Sequence, residues 1–179
     1  MARDAGSAGA TGADRRYAHL IFVDCEARGP SPVSGTMTEF GAVHFATDDT
    51  FHGVLYRGEP DPENPAVPRV LERLAEPGTV AADFAEWIYR HTSRPSLVSD
   101  NPAFDFMWIA GLFDVAGIPN PFGHSGRRIG DFYAGLTGSW SNTQEWKRWR
   151  ITPHDHNPVH DSQGNVEAFR TILESRGLA

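Results

Sequence analysis

The stretch Leu20-Ile-Phe-Val-Asp-Cys-Glu26 is a run of four large apolar residues that ends in two acids. Such a run predicts a buried β-strand. Because side chains two positions apart on a strand point to the same face, Asp24 and Glu26 should leave one face together, with Cys25 packed on the other. Strands are depleted in Asp, and burying two carboxylates costs desolvation energy that a structural role would not require. The stretch therefore predicts a chemical site at the end of the first strand.

Two distant segments share one form, Asn101-Pro-Ala-Phe-Asp105 and Asn157-Pro-Val-His-Asp161. Asn suits a helix N-cap and Pro suits the first helical position, so each Asp is predicted in the first turn of a helix. Asp is also favoured there by the helix dipole alone, by about 0.3–1 kcal/mol. Asn-Pro recurs at Asn64 and Asn120, so the dipeptide by itself marks only a turn or a helix start.

Three separate elements would thus present four acids, Asp24, Glu26, Asp105 and Asp161. Clustered carboxylates repel one another and raise one another's pKa unless cations lie between them. Hard oxygen ligands of this kind suit Mg²⁺ or Mn²⁺. The sequence therefore predicts a divalent metal site.

At this point the chain resembles a known family. Asp24-x-Glu26, the Asn101–Asp105 segment, and His156 followed after four residues by Asp161 resemble, in that order, the three motifs of the DEDDh 3′-5′ exonuclease superfamily, which includes ribonuclease T and oligoribonuclease. The resemblance extends over nearly the whole chain. The segment from Pro121 to Tyr133 is similar to that of small bacterial 3′-5′ exoribonucleases related to ribonuclease T.

The resemblance implies a ribonuclease H-like α/β fold and a phosphodiester hydrolase with two Mg²⁺ or Mn²⁺ ions. The metal ligands would be Asp24, Glu26, Asp105 and Asp161, with Asp105 acting largely through water, and the catalytic set would add His156 as general base. An imidazole with a pKa near 6.5 suits that role. The substrate would be the 3′ end of single-stranded RNA or DNA, with RNA favoured, and the products nucleoside 5′-monophosphates. Related enzymes often act as dimers, so a homodimer is expected.

Further candidates concern substrate contact. They are Ala27, where many members of the family have Thr, and Arg28, Arg127, Arg128, Trp146 and Arg150. The stretch from Trp140 to Arg150 interleaves aromatic and cationic residues, as a platform for single-stranded nucleic acid would. It is equally consistent with a helix that packs its Trp side inward. Asp100 precedes Asn101 where many members have His, and we interpret it as a strand-end or water-binding residue.

Other classes of function remain open from the residues alone. The pair His160-Asp161 resembles the metal sites of all-helical phosphohydrolases, although the early strands speak against that fold. A metal-dependent phosphohydrolase acting on small nucleotides or phosphoesters, and a catalytically silent nucleic-acid-binding module, are the alternatives. Keeping four clustered acids without a cation is costly, which disfavours the silent module.

Composition sets wider limits. A length of 179 residues and 40% hydrophobic content predict one domain over 17–179, after a disordered tail from Met1 to Arg16 that has no apolar run. The net charge of −7 argues against a broad basic face that coats nucleic acid. The single cysteine and the absence of a signal or membrane segment suggest a cytoplasmic protein with no membrane association.

The apolar pattern predicts a mixed five-stranded sheet flanked by helices, in which an antiparallel meander precedes alternating helices and strands. The predicted strands are Leu20–Asp24, Glu39–Ala46, Phe51–Tyr56, Ser96–Ser99 and Arg128–Asp131. The predicted helices are Pro65–Leu74, Ala81–His91, one opened by Asp105 with a core stripe of Phe104, Trp108, Leu112 and Val115, and Pro158–Ser175 with Phe169 and Ile172 inward.

Overall fold

The computed structural model describes residues 16–59 and 70–179. These residues form β1 Leu20–Arg28, β2 Thr36–His44, β3 Thr50–Val54, β4 Tyr56–Glu59, β5 Val70–Arg73, α1 Pro77–His91, β6 Ser96–Ser99, α2 Pro102–Ala116, β7 Gly126–Arg128, α3 Ile129–Thr137, a 3₁₀ helix Glu145–Trp149, and α4 Pro158–Ser175. In this part of the chain no helix is both long and apolar enough to cross a membrane.

The main sheet has five strands in the order β3-β2-β1-β6-β7. β1 pairs antiparallel with β2, which pairs antiparallel with β3, whereas β6 runs parallel to β1 and β7 parallel to β6. The predicted mixed sheet, with its meander and later parallel strands, is confirmed. β1 is central and runs further than predicted, to Arg28, with a register irregularity between Glu26 and Ala27. Such bulges re-aim side chains and are common beside active sites.

Two hydrophobic clusters cover the two faces of this sheet. Alternate residues of β1 enter different clusters: Ile21, Val23 and Cys25 pack towards α1 and α2, while Leu20 and Phe22 pack towards α4. This is the period of two that a strand imposes. Asp24 and Glu26 continue the second set, so the same alternation that builds the core directs both acids to the side of α4.

Some predicted elements are wrong. Residues 70–73 form β5, paired with β4, rather than the end of a helix over Pro65–Leu74, whose residues up to 69 lie outside the described part of the chain. Strand pairing with a distant segment cannot be read from a local pattern. The last strand ends at Arg128, so Asp131 lies in the first turn of α3. The predicted disordered tail also falls, except for Arg16, on residues that are not described.

The core stripe of α2 also differs from the prediction. Val115 is 77% exposed, whereas Ile109 and Phe113 occupy buried positions beside Trp108 and Leu112. Phe169 and Ile172 of α4 are buried as predicted. The start of α4 rests directly on β2, because a Cβ atom added at Gly41 would lie 2.3 Å from the backbone of Pro158 and Val159. Glycine at this position permits the close approach that brings α4 beside β1.

Candidate metal centre

Asp161 is brought to β1 by the packing of the first turns of α4. Ser162 Oγ donates a 3.2 Å hydrogen bond to the carbonyl of Gly41, which lies opposite Asp24 in the β1–β2 pair. As a result, carboxylate oxygens of Asp24, Glu26 and Asp161 all lie within 4.8 Å of one another. The structure thus brings together three of the four acids named from the sequence.

The carboxylate of Asp161 is fully buried, and neither of its oxygens has a hydrogen-bond partner in the described chain. His154 Nδ1 lies 2.6 Å from Oδ2 without forming a hydrogen bond, and the guanidinium of Arg150 lies 3.8 Å from Oδ1. Buried polar groups are nearly always hydrogen-bonded, so bare oxygens of this kind require an explanation. A hard divalent cation ligated by these oxygens supplies one.

Asp105 completes the set from the other side, in the first turn of α2. It receives a 3.1 Å hydrogen bond from the backbone N–H of Cys25 and another from the hydroxyl of Ser99 at the end of β6. Oxygens of Asp24, Asp100 and Asp105 also lie within 4.8 Å of one another. Asp24 therefore belongs to two overlapping acidic groups, one with Asp161 and one with Asp105.

Burial and mutual repulsion raise the pKa values of these acids. Burial, reinforced by Asp105 and Asp161, raises the pKa of Asp24 to about 9. Burial raises the pKa of Asp105 to about 7 against the opposing effect of the Ser99 hydrogen bond. Burial also raises the pKa of Glu26, although His156 lowers it in part. Bound divalent cations would favour the ionised forms, so this donor set fits Mg²⁺ or Mn²⁺.

A loop from Arg150 to His156 borders the site. It is attached to α4 by Glu167, whose carboxylate accepts hydrogen bonds from the N–H groups of Ile151 and Thr152 at 2.8 and 2.7 Å. Burial alone would raise the pKa of Glu167, but these hydrogen bonds lower it. The loop also packs against Gly164, where an added Cβ would lie 2.7 Å from a loop carbonyl. Its histidines are therefore held next to Asp161.

Two imidazoles face the site from this loop. The rings of His154 and His156 have centroids 4.6 Å apart, and His156 Nδ1 lies 3.4 Å from Glu26 Oε1. The backbone of His156 has a φ of 62°, which is uncommon outside glycine and frequent at functional sites. His160 instead lies 2.9 Å from Asp155. Since His160 pairs with Asp155 and none of the groups of possible metal ligands that contain Asp161 in the described chain includes it, His160 and Asp161 do not form the phosphohydrolase-type pair that the sequence left open.

The residues predicted to contact substrate have different positions. Ala27 and Arg28 follow the acids along β1, and Arg128 donates a 3.1 Å hydrogen bond to the carbonyl of Asp100 beside the site. Arg127 is exposed. Lys147, one of the cations in the interleaved stretch from Trp140 to Arg150, lies 2.7 Å from the carboxylate of Asp100. No local signal distinguishes this lysine from its neighbours.

Two of these predictions need correction. Trp146 is 1% exposed and packs in the core cluster beside α4, with Nε1 donating to the carbonyl of Thr143, so its ring is not available to stack on a base. The guanidinium of Arg150 donates a 2.7 Å hydrogen bond to the backbone carbonyl of Asp161, so it holds this turn instead of facing solvent. The interleaved pattern fits an inward-packed helix as well as a platform, and the structure selects the former at Trp146.

No family model matches this sequence, and no curated protein matches it. Solved structures do match. The nuclease domain of 3′hExo, described as a DEDDh family member bound to rAMP, superposes with a TM-score of 0.63 over 90% of this chain and 94% of that chain, at 13% identity. The chain has the fold of a DEDDh exonuclease domain.

A second match leads to the same fold. The zinc-bound form of the E. coli ExoI–ssDNA complex superposes with a TM-score of 0.55 at 14% identity, over 88% of this chain and 40% of that chain. Another structure of exonuclease I gives a TM-score of 0.51 at 12% identity. The chain therefore spans about two-fifths of exonuclease I. These likenesses show the ribonuclease H-like fold predicted from the motifs.

Proposed function

We propose that the protein is a metal-dependent 3′-5′ exonuclease that releases nucleoside 5′-monophosphates from the 3′ end of single-stranded RNA. The observation that carries this proposal is the convergence of Asp24, Glu26 and Asp161 within 4.8 Å, with the Asp161 oxygens buried and bare and two imidazoles alongside. The shared fold with the DEDDh nuclease domain adds support, and the rAMP in that neighbour favours RNA.

In this proposal Asp24, Glu26 and Asp161 would hold one Mg²⁺ or Mn²⁺ ion, and Asp24 would also hold a second, which Asp105 supports through water. When bound, the two ions polarise the scissile phosphate and lower the pKa of the attacking water. The fixed hydrogen bonds to Asp105 keep its carboxylate beside Asp24. In this proposal the ring of His156 would accept the proton of that water, and its exposure and its 3.4 Å approach to Glu26 support that role.

The direct test uses 5′-labelled single-stranded RNA and the DNA of the same sequence, each with Mg²⁺, Mn²⁺ or EDTA. We expect a metal-dependent ladder that shortens from the 3′ end and is stronger on RNA. Asp24→Asn should abolish the ladder, whereas Asp114→Asn, at an exposed position of α2, should not. Cleavage of neither polymer would refute the proposal, and hydrolysis of small phosphoesters in its place would favour a phosphohydrolase.

The general-base assignment has its own test. His156→Ala should lower kcat by about 10²–10⁴-fold, the usual contribution of a general base. Its affinity for Mg²⁺, measured by calorimetric titration, should stay within a few fold of the wild-type value. His160→Ala serves as the matched control, since His160 pairs with Asp155 outside the site. Equal loss of turnover and of Mg²⁺ affinity would assign His156 to the metal site instead.

The homodimer expected from the resemblance stays a prediction. Light scattering coupled to size-exclusion chromatography measures it directly. A mass of twice the 19.7 kDa chain would support it, and a monomeric mass at micromolar concentration would contradict it.

A further inference from the structure

We propose that His154, His156 and Asp161 form a nitrogen-containing metal site that binds Zn²⁺ in preference to Mg²⁺. This site shares Asp161 with the carboxylate centre but is otherwise made of different residues. Its occupation would inhibit the nuclease, a consequence that rests on the function proposed above.

The geometry of the three side chains supports the site. Ligand atoms of His154, His156 and Asp161 all lie within 4.8 Å of one another. Neither Asp161 oxygen accepts a hydrogen bond within the described chain, and His154 Nδ1 already lies 2.6 Å from Oδ2. A buried acceptor therefore faces an imidazole nitrogen without being bonded to it. A cation ligated by both atoms would satisfy both, once the imidazole moves away from the 2.6 Å separation to about 3.3 Å.

The remaining adjustment is small. Zn–N and Zn–O bonds of about 2.0–2.2 Å in a tetrahedron place neighbouring ligand atoms roughly 3.3–3.6 Å apart. The side chains of His154 and His156 are 53% and 74% exposed, so both rings can rotate to this spacing without disturbing the core. Asp161 is rigidly placed by its turn of α4. Three protein ligands would leave one tetrahedral position for water.

The donor types select the metal. Mg²⁺ prefers six oxygen ligands, and two imidazole nitrogens are poor ligands for it. Imidazole suits Zn²⁺, and affinities for such mixed sites rise along the first-row series towards Cu²⁺ and Zn²⁺. By contrast, the oxygens of Asp24 and Glu26 suit Mg²⁺. We therefore expect Zn²⁺ at the site with the two imidazoles and Mg²⁺ at the carboxylate centre, although the two sites share Asp161.

The neighbouring groups are compatible with this arrangement. Arg150 approaches Oδ1 of Asp161, not the Oδ2 that faces His154. The nearest carboxylate to the second imidazole is Glu26, whose Oε1 lies 3.4 Å from His156 Nδ1, and an acid here favours a cation. His160 is held by Asp155 and does not join the set. The site would therefore use two imidazoles and one carboxylate.

Occupation would remove two groups from the proposed nuclease. Asp161 would ligate zinc and would no longer be available to the carboxylate centre, and His156 could no longer accept a proton through a ligated nitrogen. Zinc should therefore inhibit at concentrations far below those of Mg²⁺ in the assay. Chelation of the zinc should restore the rate.

The binding test strips the full chain of metal, adds excess Mg²⁺, and then titrates Zn²⁺ by calorimetry, with Co²⁺ and its visible absorption as a geometric probe. We expect one zinc ion per chain that excess Mg²⁺ does not displace, and a tetrahedral Co²⁺ spectrum. His154→Ala should weaken Zn²⁺ binding by about tenfold or more, at least as much as the loss of an outer-shell partner costs. His160→Ala should bind as the wild type does.

Asp24→Asn separates the two sites, because it removes a ligand of the carboxylate centre and leaves the proposed zinc ligands intact. Zinc binding that survives in Asp24→Asn and weakens in His154→Ala supports the proposal. Zinc binding that is lost in Asp24→Asn and unchanged in His154→Ala would overturn it, since the ion would then lie among the acids. Displacement by excess Mg²⁺ would overturn it as well.

Inhibition is measured on the RNA ladder, each variant being normalised to its own rate without zinc. The zinc concentration that halves this rate should rise by about tenfold in His154→Ala, in step with the binding loss. If the wild type cuts no RNA, the proposed function fails, while the calorimetric result still decides the zinc site. Unaltered inhibition in His154→Ala would overturn the inhibitory role.

Discussion

The starts of α2 and α4 share one sequence form, yet Asp105 of α2 accepts hydrogen bonds and Asp161 of α4 accepts none within the described chain. Two residues before each Asn, a side-chain oxygen accepts the N–H of that Asn: Ser99 Oγ does so for Asn101 at 2.8 Å, and Asp155 Oδ1 for Asn157 at 3.0 Å. The serine hydroxyl can also donate, and it does so to Asp105.

At α4 the equivalent group is an ionised carboxylate, which only accepts hydrogen bonds. Asp155 therefore pairs with His160 and gives nothing to Asp161, whose oxygens stay bare. The two helix starts therefore differ in one group: the hydroxyl of Ser99 donates a hydrogen bond to Asp105, whereas the carboxylate of Asp155 has no proton to donate to Asp161. In the proposed function this difference would let Asp161 ligate the metal directly, whereas Asp105 would act through a water molecule.

The largest test of this contrast compares Asp161→Asn with Asp105→Asn. Losing a direct metal ligand removes several kcal/mol of transition-state stabilisation, so Asp161→Asn should lower kcat by about 10²–10³-fold or more. Asp105→Asn should lower it by only about tenfold, since its amide can keep the bond from Cys25. Single-turnover rates on RNA at saturating Mg²⁺ measure both. Equal losses would show that the two acids have equivalent roles.

The next test uses pH, and it should give the largest change in stability. The pKa of Asp24 rises from 3.8 to about 9 on folding, chiefly through burial. Between these values the unfolded chain has released this proton and the folded chain keeps it, so the metal-free protein should lose stability as the pH rises through this window. Each pH unit crossed within the window should lower the free energy of unfolding by on the order of 1 kcal/mol.

Asp24→Asn has no such proton to lose. In EDTA its thermal midpoint should exceed that of the wild type, by a margin that grows from pH 5 to pH 8. Mg²⁺ should raise the midpoint of the wild type and not that of the variant, because a bound ligand stabilises only the form that binds it. Asp114→Asn is the control at an exposed position. Parallel stability profiles for wild type and Asp24→Asn would contradict the raised pKa of Asp24.

A third test removes the buried hydroxyl beside the start of α2, in Ser99→Ala, or the one in the first turns of α4, in Ser162→Ala. Ser99→Ala leaves Oδ2 of Asp105 and the N–H of Asn101 without a partner, while Oδ1 keeps the bond from Cys25, so it should cost about 1.5–3 kcal/mol of unfolding free energy. Ser162→Ala loses a single 3.2 Å bond to the carbonyl of Gly41 and should cost about 0.5–1.5 kcal/mol. Urea unfolding measures both. A larger loss of unfolding free energy in Ser162→Ala than in Ser99→Ala would contradict this prediction.

Much of the fold followed from the sequence because it depends on local rules. The alternation in β1 placed Asp24 and Glu26 on one face, and the Asn-Pro segments placed the other two acids in first helical turns, as the structure has them. Those signals need only the period of a strand and the preferences of a helix start.

What the sequence did not reveal depends on contacts between distant segments. Whether residues 70–73 form a strand depends on β4, and whether Trp146 is exposed depends on the core beside α4. The lack of hydrogen bonds to Asp161 could have been predicted, since Ser99 and Asp155 occupy equivalent positions two residues before the two Asn residues. That prediction would have required knowing that the side chains of Ser99 and Asp155 accept hydrogen bonds from the backbone two residues later.

The smallest test concerns the caps, where the two Asn residues look alike in sequence and differ in the structure. Asn157 Oδ1 accepts from the N–H groups of Val159 and His160 at 3.0 and 3.3 Å, whereas Asn101 makes no side-chain cap bond. Asn157→Ala should therefore cost about 0.5–2 kcal/mol, and Asn101→Ala only a few tenths. Urea unfolding of both variants checks this, with Asn157→Asp expected to restore the cap. Since Asp161 lies in the turn that Asn157 caps, Asn157→Ala should also weaken Mg²⁺ binding in a calorimetric titration, and an equal weakening in Asn101→Ala would mean that the cap does not position the metal ligand.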